Sequence, residues 1–418
     1  MSTEPIRHLP VRPNLQQLKH QAKDFLKALH SEEPGAVAEY RQLCRSQGEP
    51  KEAKLTDAQY VLAKSYGLSS WPRLVLACQM THAIWENDVS AVRDLVLAHP
   101  KLLKESARGM QDNWGAPLSY AATVGRTDII QLLKSLGATD LQHAFERACL
   151  KGHIDIARDL LSAGAKPVPG SVMGPCETLN GEGLKFQLEM GAPLSDDKGD
   201  SLAPVACILE TYSRNPEGKH LCLSIVAQHG VKLPATPPMA VHCGRLDLLE
   251  AHLKQDPNLF TRTFTHEEIF PPELGCNSDH RYALCGSPLG GTTLLHMCMD
   301  YDEHDIAKWI LEQGGPVDVP ASVDVYGFGG HTALFGCVIS QPYRVGRGNP
   351  ERLIRLLLSH GADVNTRASI RKELRFVEDE TLHEYRDVTP RAISEQFHDQ
   401  DWVNKPALKL IIEAGGVS

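Results

Sequence analysis

One pattern of apolar and polar positions returns along the chain. A short run with apolar residues at helical spacing ends in two large aliphatic residues, and after a polar step comes Gly-Ala or Gly-Gly. Its copies cover residues 129–138, 156–165, 353–365 and 408–416, with a weaker copy at 306–315. Apolar residues three and four positions apart predict a helix with one buried face. A unit of this size cannot bury that face alone, so the pattern predicts an all-α protein of stacked helical repeats.

The spacing between copies changes along the chain. Gly137, Gly164 and Gly191 lie 27 residues apart, whereas Gly361 and Gly415 are separated by 54. Three insertions enlarge the C-terminal half, at residues 260–291, 318–331 and 366–388. Loops of this length inside a compact array are usually functional or disordered. Because the first insertion carries aromatic residues and little low-complexity sequence, we expect an ordered loop there.

The segment GAPLSYAATVGRTDIIQLLKSLGA, residues 115–138, has Pro-Leu, Ala-Ala, a central Gly and Leu-Leu at the spacing of the ankyrin repeat. It resembles that family, as do residues 143–165, 291–315 and the broken copy at 330–338 and 350–365. The resemblance implies an ankyrin-repeat solenoid of about nine helix-turn-helix units, several of them degenerate, over residues 81–418. Ankyrin arrays are mostly binding scaffolds, so the fold alone leaves the function open.

The first eighty residues predict three helices, at 13–30, at 55–67 and from Ser70 onward with Pro72 in its first turn. This segment resembles a helical leader found on bacterial ankyrin-repeat proteins. Residues 1–80 are therefore expected to be a helical cap that covers the apolar end of the array. Its spacing also has a passing likeness to a helix-turn-helix. With eleven basic against eight acidic residues and no basic recognition helix, DNA binding is disfavoured.

Charge and composition disfavour several classes of binding partner and indicate a cellular compartment. The net charge of -9 argues against nucleic acids and acidic membrane surfaces as partners. No run is apolar enough for a membrane span or a signal peptide. The eleven cysteines are an odd number without a CxxC pair, which favours buried free thiols in a reducing compartment, and hence a cytoplasmic protein.

The three insertions hold the candidate ligand-binding residues. Successive insertions project from the same side of a repeat array, so we expect them to meet over one region. The polar candidates are His266, Asp279, His280, Arg281, Asp324, Tyr326, His331 and Arg371. His331 also stands at a helix-capping step, where a structural hydrogen bond is the simpler interpretation, and His296 has the same alternative.

A metal or cofactor is not predicted. Cys276, His280 and Cys285 could bind zinc with His266 or His296 as a fourth ligand, but their spacing is not one of the tight zinc signatures. The glycines of YGFGGH, residues 326–331, lack the strand and helix that a nucleotide-binding turn needs.

Two functions follow as hypotheses. The first is a non-enzymatic scaffold that binds a protein partner through its concave face and insertions, with Trp114 and Tyr120 as candidate contact residues. The alternative is a ligand-binding protein or enzyme with a composite pocket formed by the insertions, which would take a small polar ligand. An exposed aromatic patch would favour the first hypothesis. A pocket in which the polar residues of the insertions meet would favour the second.

Overall fold

The computed structural model describes residues 7–44, 48–110, 112–280, 284–377 and 379–418. These residues form 23 α-helices and one two-stranded sheet, so the chain is mainly helical, as the sequence predicts. They divide into two compact units, one ending at Lys166 and the other beginning at Pro167. The boundary expected at residue 80 lies inside a helix, because α4 runs from Trp71 to Trp85.

The first unit contains nine helices. They are α1 Leu15–His30, α2 Pro34–Leu43, α3 Leu55–Ser65, α4 Trp71–Trp85, α5 Val89–Ala98, α6 Pro117–Val124, α7 Thr127–Ser135, α8 Leu141–Lys151 and α9 Ile154–Ser162. The side chain of Asn14 accepts hydrogen bonds from two backbone N–H groups of α1, and the Ser70 hydroxyl accepts one from Arg73 at the start of α4. Both caps satisfy N–H groups that have no partner within the helix.

Helices α6 and α7 form a tight pair, and α8 and α9 form the next. Gly125 ends α6 with φ +73°, and Gly152 ends α8 in the same left-handed conformation. Residues with a Cβ rarely adopt this conformation, which explains the central Gly of the repeated pattern. A Cβ at Gly125 would also lie 2.8 Å from the His153 ring, so the next pair packs directly against this turn.

Of the two aromatic residues predicted as partner contacts, Tyr120 belongs to the interior of this unit, whereas Trp114 is only partly buried. Tyr120 is fully buried on α6, and its hydroxyl donates to the carbonyl of Val11. The Trp114 ring lies 5.3 Å from the Tyr120 ring, with the Arg147 guanidinium 5.2 Å from its centre. The expectation that Tyr120 contacts a partner is therefore wrong, because its own unit encloses the ring and leaves none of it exposed.

The second unit contains fourteen helices and the sheet. The helices are α10 Met173–Glu177, α11 Gly181–Glu189, α12 Ala203–Glu210, α13 Pro216–Gln228, α14 Pro237–His242, α15 Leu246–Gln255, α16 His266–Ile269, α17 Leu294–Tyr301, α18 His304–Glu312, α19 Ala333–Val338, α20 Gln341–Arg344, α21 Arg352–Ser359, α22 Pro390–Gln396 and α23 Lys405–Glu413. One large apolar core extends through these helices, from Val172 to Ile411.

The third insertion folds as a β-hairpin (residues 366–388). Strand β1, Ala368–Lys372, pairs antiparallel with β2, His383–Val388, and Lys372 lies opposite His383. The second insertion, called the finger here (residues 318–331), joins the hairpin at one point. The N–H of Gly329 donates to the carbonyl of Ser369 at 2.7 Å, and the N–H of Ser369 donates back at 3.2 Å. Two insertions that are separate in sequence thus share one patch of sheet.

Across the described ranges of the chain, none of the helices combines the length and the apolar character that a membrane span requires.

Candidate functional site

All three insertions line one cavity of about 270 Å³ in the second unit. The long loop (residues 260–291) contributes seven of the lining residues, the finger contributes five and the hairpin contributes five. Five of the predicted site residues are among them, namely His266, His280, Asp324, His331 and Arg371. The sequence-based expectation that the insertions meet therefore matches where these residues lie. We call this space the cavity.

Asp324 and Arg371 join the finger to the hairpin at the cavity. One carboxylate oxygen of Asp324 accepts hydrogen bonds from the backbone N–H groups of Tyr326 and Phe328, at 2.8 and 2.9 Å. The other accepts from Nη2 of Arg371 at 2.5 Å. These bonds, the backbone ones first, hold the pKa of Asp324 below its usual value. Asp324 is thus a fully engaged carboxylate that shapes the finger and positions Arg371.

Arg371 keeps donors available despite this ion pair. Its guanidinium carbon lies 5.3 Å from the centre of the Tyr326 ring and 5.1 Å from that of Phe328. Among the described residues, Nε and Nη1 of Arg371 have no hydrogen-bond partner. Stacking leaves the edges of a guanidinium open, and those edges suit the oxygens of a carboxylate or phosphate.

His331 is buried in the cavity wall and has one nitrogen without a partner. Its Nε2 donates to the carbonyl of Pro288 at 3.0 Å, and its own carbonyl accepts from Nε2 of His296. Nδ1 of His331 is therefore an acceptor, and it finds no donor among the described residues. Burial lowers the pKa of His331 to about 4, so the ring is neutral at pH 7. The bonds of both rings agree with the structural alternative stated above.

His266 begins α16 at the edge of the cavity. Its Nε2 donates to the carbonyl of Asn277 at 3.0 Å, and its ring packs 5.0 Å from that of Phe270. Thr265 caps this short helix and pairs with Glu268 in a reciprocal capping box, which explains how the sequence THEE turns the loop toward the cavity. His280 is exposed where it borders the cavity.

Lys372, which the sequence did not single out, is a second cation among the described residues that line the cavity. It is partly accessible through the cavity and otherwise enclosed. Among the described residues, its ammonium makes no hydrogen bond or ion pair. Desolvation is the main reason that the pKa of Lys372 is lowered, and the nearby carboxylates of Asp300 and Glu373 oppose that effect. Its signal in the sequence is only its position beside Arg371 in a charged segment.

A buried ion pair holds the back of the cavity. The side chains of Arg214 and Asp300 are 1% and 2% exposed, and Nη2 of Arg214 donates to Asp300 at 2.6 Å. The same nitrogen donates to the carbonyl of Leu284 at 2.6 Å, while Asp300 accepts from the N–H of Gly286 at 2.7 Å. Cys285 lies between these two points and lines the cavity. Burial raises the pKa of its thiol to about 12, so Cys285 is a neutral thiol.

Two of the predicted site residues that the structure describes, Asp279 and Tyr326, do not line the cavity. Asp279 does not line it, and Tyr326 is 68% exposed outside it, below the Arg371 guanidinium. Arg281 lies outside the described residues. Cys276 is buried, its pKa is raised by desolvation, and it is not part of the lining. Within the part of the chain that the structure describes, no three His, Cys, Asp or Glu side chains are grouped closely enough to bind a metal ion.

Comparison of the chain with protein-family models and with curated proteins finds no match.

Proposed function

We propose that the second unit binds a small organic molecule with an acidic group, such as a carboxylate, in the cavity. The observation that carries this proposal is Lys372, which lines the cavity and whose ammonium has no hydrogen-bond or ion-pair partner among the described residues. A charge removed from water is costly unless it is paired. Asp324 is already engaged with Arg371 and the finger backbone, and Asp300 is paired with Arg214. Asp300 and Glu373 favour the charged form of Lys372 electrostatically, without a direct ion pair to it.

The remaining cavity lining fits such a ligand. Arg371 offers Nε and Nη1 for a carboxylate, while Phe270, Leu289 and Ile370 supply apolar surface for a short carbon skeleton. His266 and His331 add imidazole nitrogens at the same cavity. A volume of about 270 Å³ is near the lower end for small-molecule sites, which suits a compact metabolite.

The test is titration calorimetry of the full chain with a series of small carboxylic acids and with inorganic phosphate. We expect saturable binding of at least one acid, and Lys372→Met should weaken it about 10- to 100-fold because a charge-assisted hydrogen bond contributes ~1.5–3 kcal/mol. Lys409→Met is the matched control, since this side chain is 78% exposed on α23. If both variants bind like the parent chain, or if no acid binds, the proposal is wrong.

We further propose that the helix pairs are ankyrin repeats, in keeping with the sequence resemblance. Supporting this, α6–α7 and α8–α9 each turn at a left-handed Gly, and α17–α18 turns at Asp302 with φ +59°. In an experimental structure, the three pairs should superpose with one common path. Different crossing angles in the three pairs would contradict the assignment.

A protein partner is a second candidate function, favoured by exposed apolar side chains at the tips of the insertions. Val325 is 93% exposed and Tyr326 68% on the finger, and Phe376 is 78% exposed on the hairpin. Exposed apolar groups of this size often mark interaction sites. Val325→Ser with Phe376→Ser should abolish binding of a purified partner while acid binding persists. Unchanged affinity for that partner would exclude these tips as its binding surface.

A further inference from the structure

Two imidazole rings stack where the hairpin meets the bend that follows α22 (residues 397–399). His383 begins β2 and His398 lies in the bend, and their ring centres are 3.9 Å apart with planes 6° from parallel. We call this pair the histidine stack. His383 also lies opposite Lys372 in the strand register. The stack therefore holds the end of the hairpin that contributes Lys372 to the wall of the cavity.

Tyr385 attaches β2 to the same bend. Its hydroxyl oxygen lies 2.6 Å from Nδ1 of His398 and accepts a hydrogen bond from the backbone N–H of that residue at 3.0 Å. Its ring stacks on Phe397 with the ring centres 5.5 Å apart. Nε2 of His398 is buried and has no partner among the described residues. Protonation of the His398 ring would therefore place an N–H donor where the described residues supply no acceptor.

The charges around the stack favour a proton on His383 and oppose one on His398. Nε2 of His383 donates to the Asp379 carboxylate at 2.9 Å, which stabilises the charged form of that ring. A charge on His398 would face the parallel His383 ring, and Lys372 also disfavours it. Asp379 and Asp399 act in the opposite direction. Desolvation first, and His383 second, nevertheless lower the pKa of His398.

We propose that the histidine stack is an acid-sensitive attachment of the hairpin, and that protonation of His398 releases β2 from the bend after α22. In the released hairpin, water can bind both ring nitrogens of His398 and the parallel ring is gone, so the released state takes up the proton more readily. The attachment is thus fully present above about pH 6.5, the ordinary pKa of histidine, and weakens as the pH falls below it. This inference does not depend on acid binding in the cavity.

The experiment measures hydrogen exchange of the full chain by mass spectrometry at pH 7.5 and pH 5.5. Each rate is divided by the intrinsic rate of an unstructured peptide at the same pH, which gives a protection factor. We expect the protection of β2 to fall about three- to tenfold at pH 5.5, since one pKa unit changes an equilibrium tenfold. Peptides from α17, in the core of the same unit, report global unfolding and should lose less protection.

His398→Phe is the deciding variant. Phenylalanine keeps an aromatic ring for the stack and cannot be protonated, so β2 should have the same protection at both pH values. His360→Phe is the matched control, because it replaces an exposed histidine after α21 and should retain the loss of protection. Thermal denaturation of each variant checks that it folds.

His383→Phe carries the test if His398→Phe itself lowers the protection of β2 at pH 7.5. It keeps the contact between Tyr385 and His398 and removes the opposing charge, so the loss at pH 5.5 should be at most half that of the parent chain. The inference is wrong if β2 of the parent chain keeps its protection at pH 5.5, or if α17 loses as much as β2. It is also wrong if the loss is undiminished in both stack variants.

Discussion

The buried Arg214–Asp300 pair offers a sharp test of how the cavity is held in place, through the substitution Arg214→Met. Arg214 makes five hydrogen bonds, to the carbonyls of Thr211, Ser213, Leu284 and Asp300 and to the Asp300 carboxylate. Methionine keeps the length of the side chain but leaves the Asp300 charge in a dry interior. Breaking a buried ion pair by removing one partner costs about 3–5 kcal/mol.

That cost should appear both in stability and in the cavity. For a unit of this size, 1 kcal/mol corresponds to about 2–4 °C in the melting temperature, so we expect a fall of roughly 10 °C. Urea denaturation followed by circular dichroism gives the free energy directly. Since the Leu284 carbonyl loses its donor, the loop around Cys285 should also exchange its amide hydrogens faster.

Two further variants decide whether the unpaired charge is the cause. Arg245→Met removes an exposed arginine whose partner Asp247 is equally exposed, and it should leave stability unchanged. Arg214→Met with Asp300→Asn removes both charges and retains an acceptor for the Gly286 N–H, so it should recover at least half of the loss. Equal effects of Arg214→Met and Arg245→Met, or no recovery in the double variant, would refute the reasoning.

Three further predictions concern the same unit. Lys219 is buried and donates to Nδ1 of His242 at 2.6 Å, and burial lowers its pKa to about 7. At this residue the unfolded chain binds more protons than the folded chain from pH 7 to 10, so Lys219 should add up to about 1.4 kcal/mol of stability per pH unit there. Urea denaturation at several pH values should show this contribution as the difference in slope between the parent chain and Lys219→Met. His331 stays neutral when folded, so its contribution is lost as the pH falls from 6.5 to about 4, by up to about 3 kcal/mol; a parallel loss in His331→Gln would contradict this. Gly329→Ala places a Cβ 2.0 Å from the Ser322 carbonyl at φ +130°, so it should weaken acid binding at least tenfold. Gly35→Ala, which has open space around it and no positive φ, should bind acid like the parent chain, and equal affinities of the two variants would contradict the prediction.

Much of the helical architecture could be predicted from the sequence because it depends on local signals. Helix α1 begins at Leu15 after the Asn14 cap, and α4 begins after Ser70 with Pro72 in its first turn, within the stretches that the pattern predicts. These features involve residues a few positions apart, so spacing alone reveals them. The hairpin was not predicted, since β1 and β2 are charged and lack a clear alternation.

The site was predictable in outline and not in its chemistry. Repeat geometry indicated that the insertions meet, and His266, Asp324 and Arg371 do line one cavity. The sequence could not show that both carboxylate oxygens of Asp324 accept hydrogen bonds, one from the finger backbone and the other from Arg371. Those bonds depend on the turn that the finger adopts. The sequence also could not distinguish Lys372 from the charged residues around it, because they differ from Lys372 in burial, which the sequence does not reveal.

Tyr120 is a residue that the sequence wrongly suggested as a binding residue. A tyrosine at a repeat position reads equally well as a contact residue or as a core residue, and only packing decides between them. Here the ring is enclosed against Trp114, and the hydroxyl is satisfied by the Val11 carbonyl, more than a hundred residues away in sequence. A contact between such distant positions leaves no trace in the local pattern.

The bridge between Gly329 and Ser369 has a consequence for how this unit can change over evolution. A plain repeat array gains or loses single units because each one contacts only its neighbours. Here the finger depends on the hairpin for a strand partner, and the hairpin depends on the finger for the carboxylate that holds Arg371. Neither insertion can be deleted, duplicated or exchanged alone without leaving the other incomplete. The finger and the hairpin must therefore be inherited together.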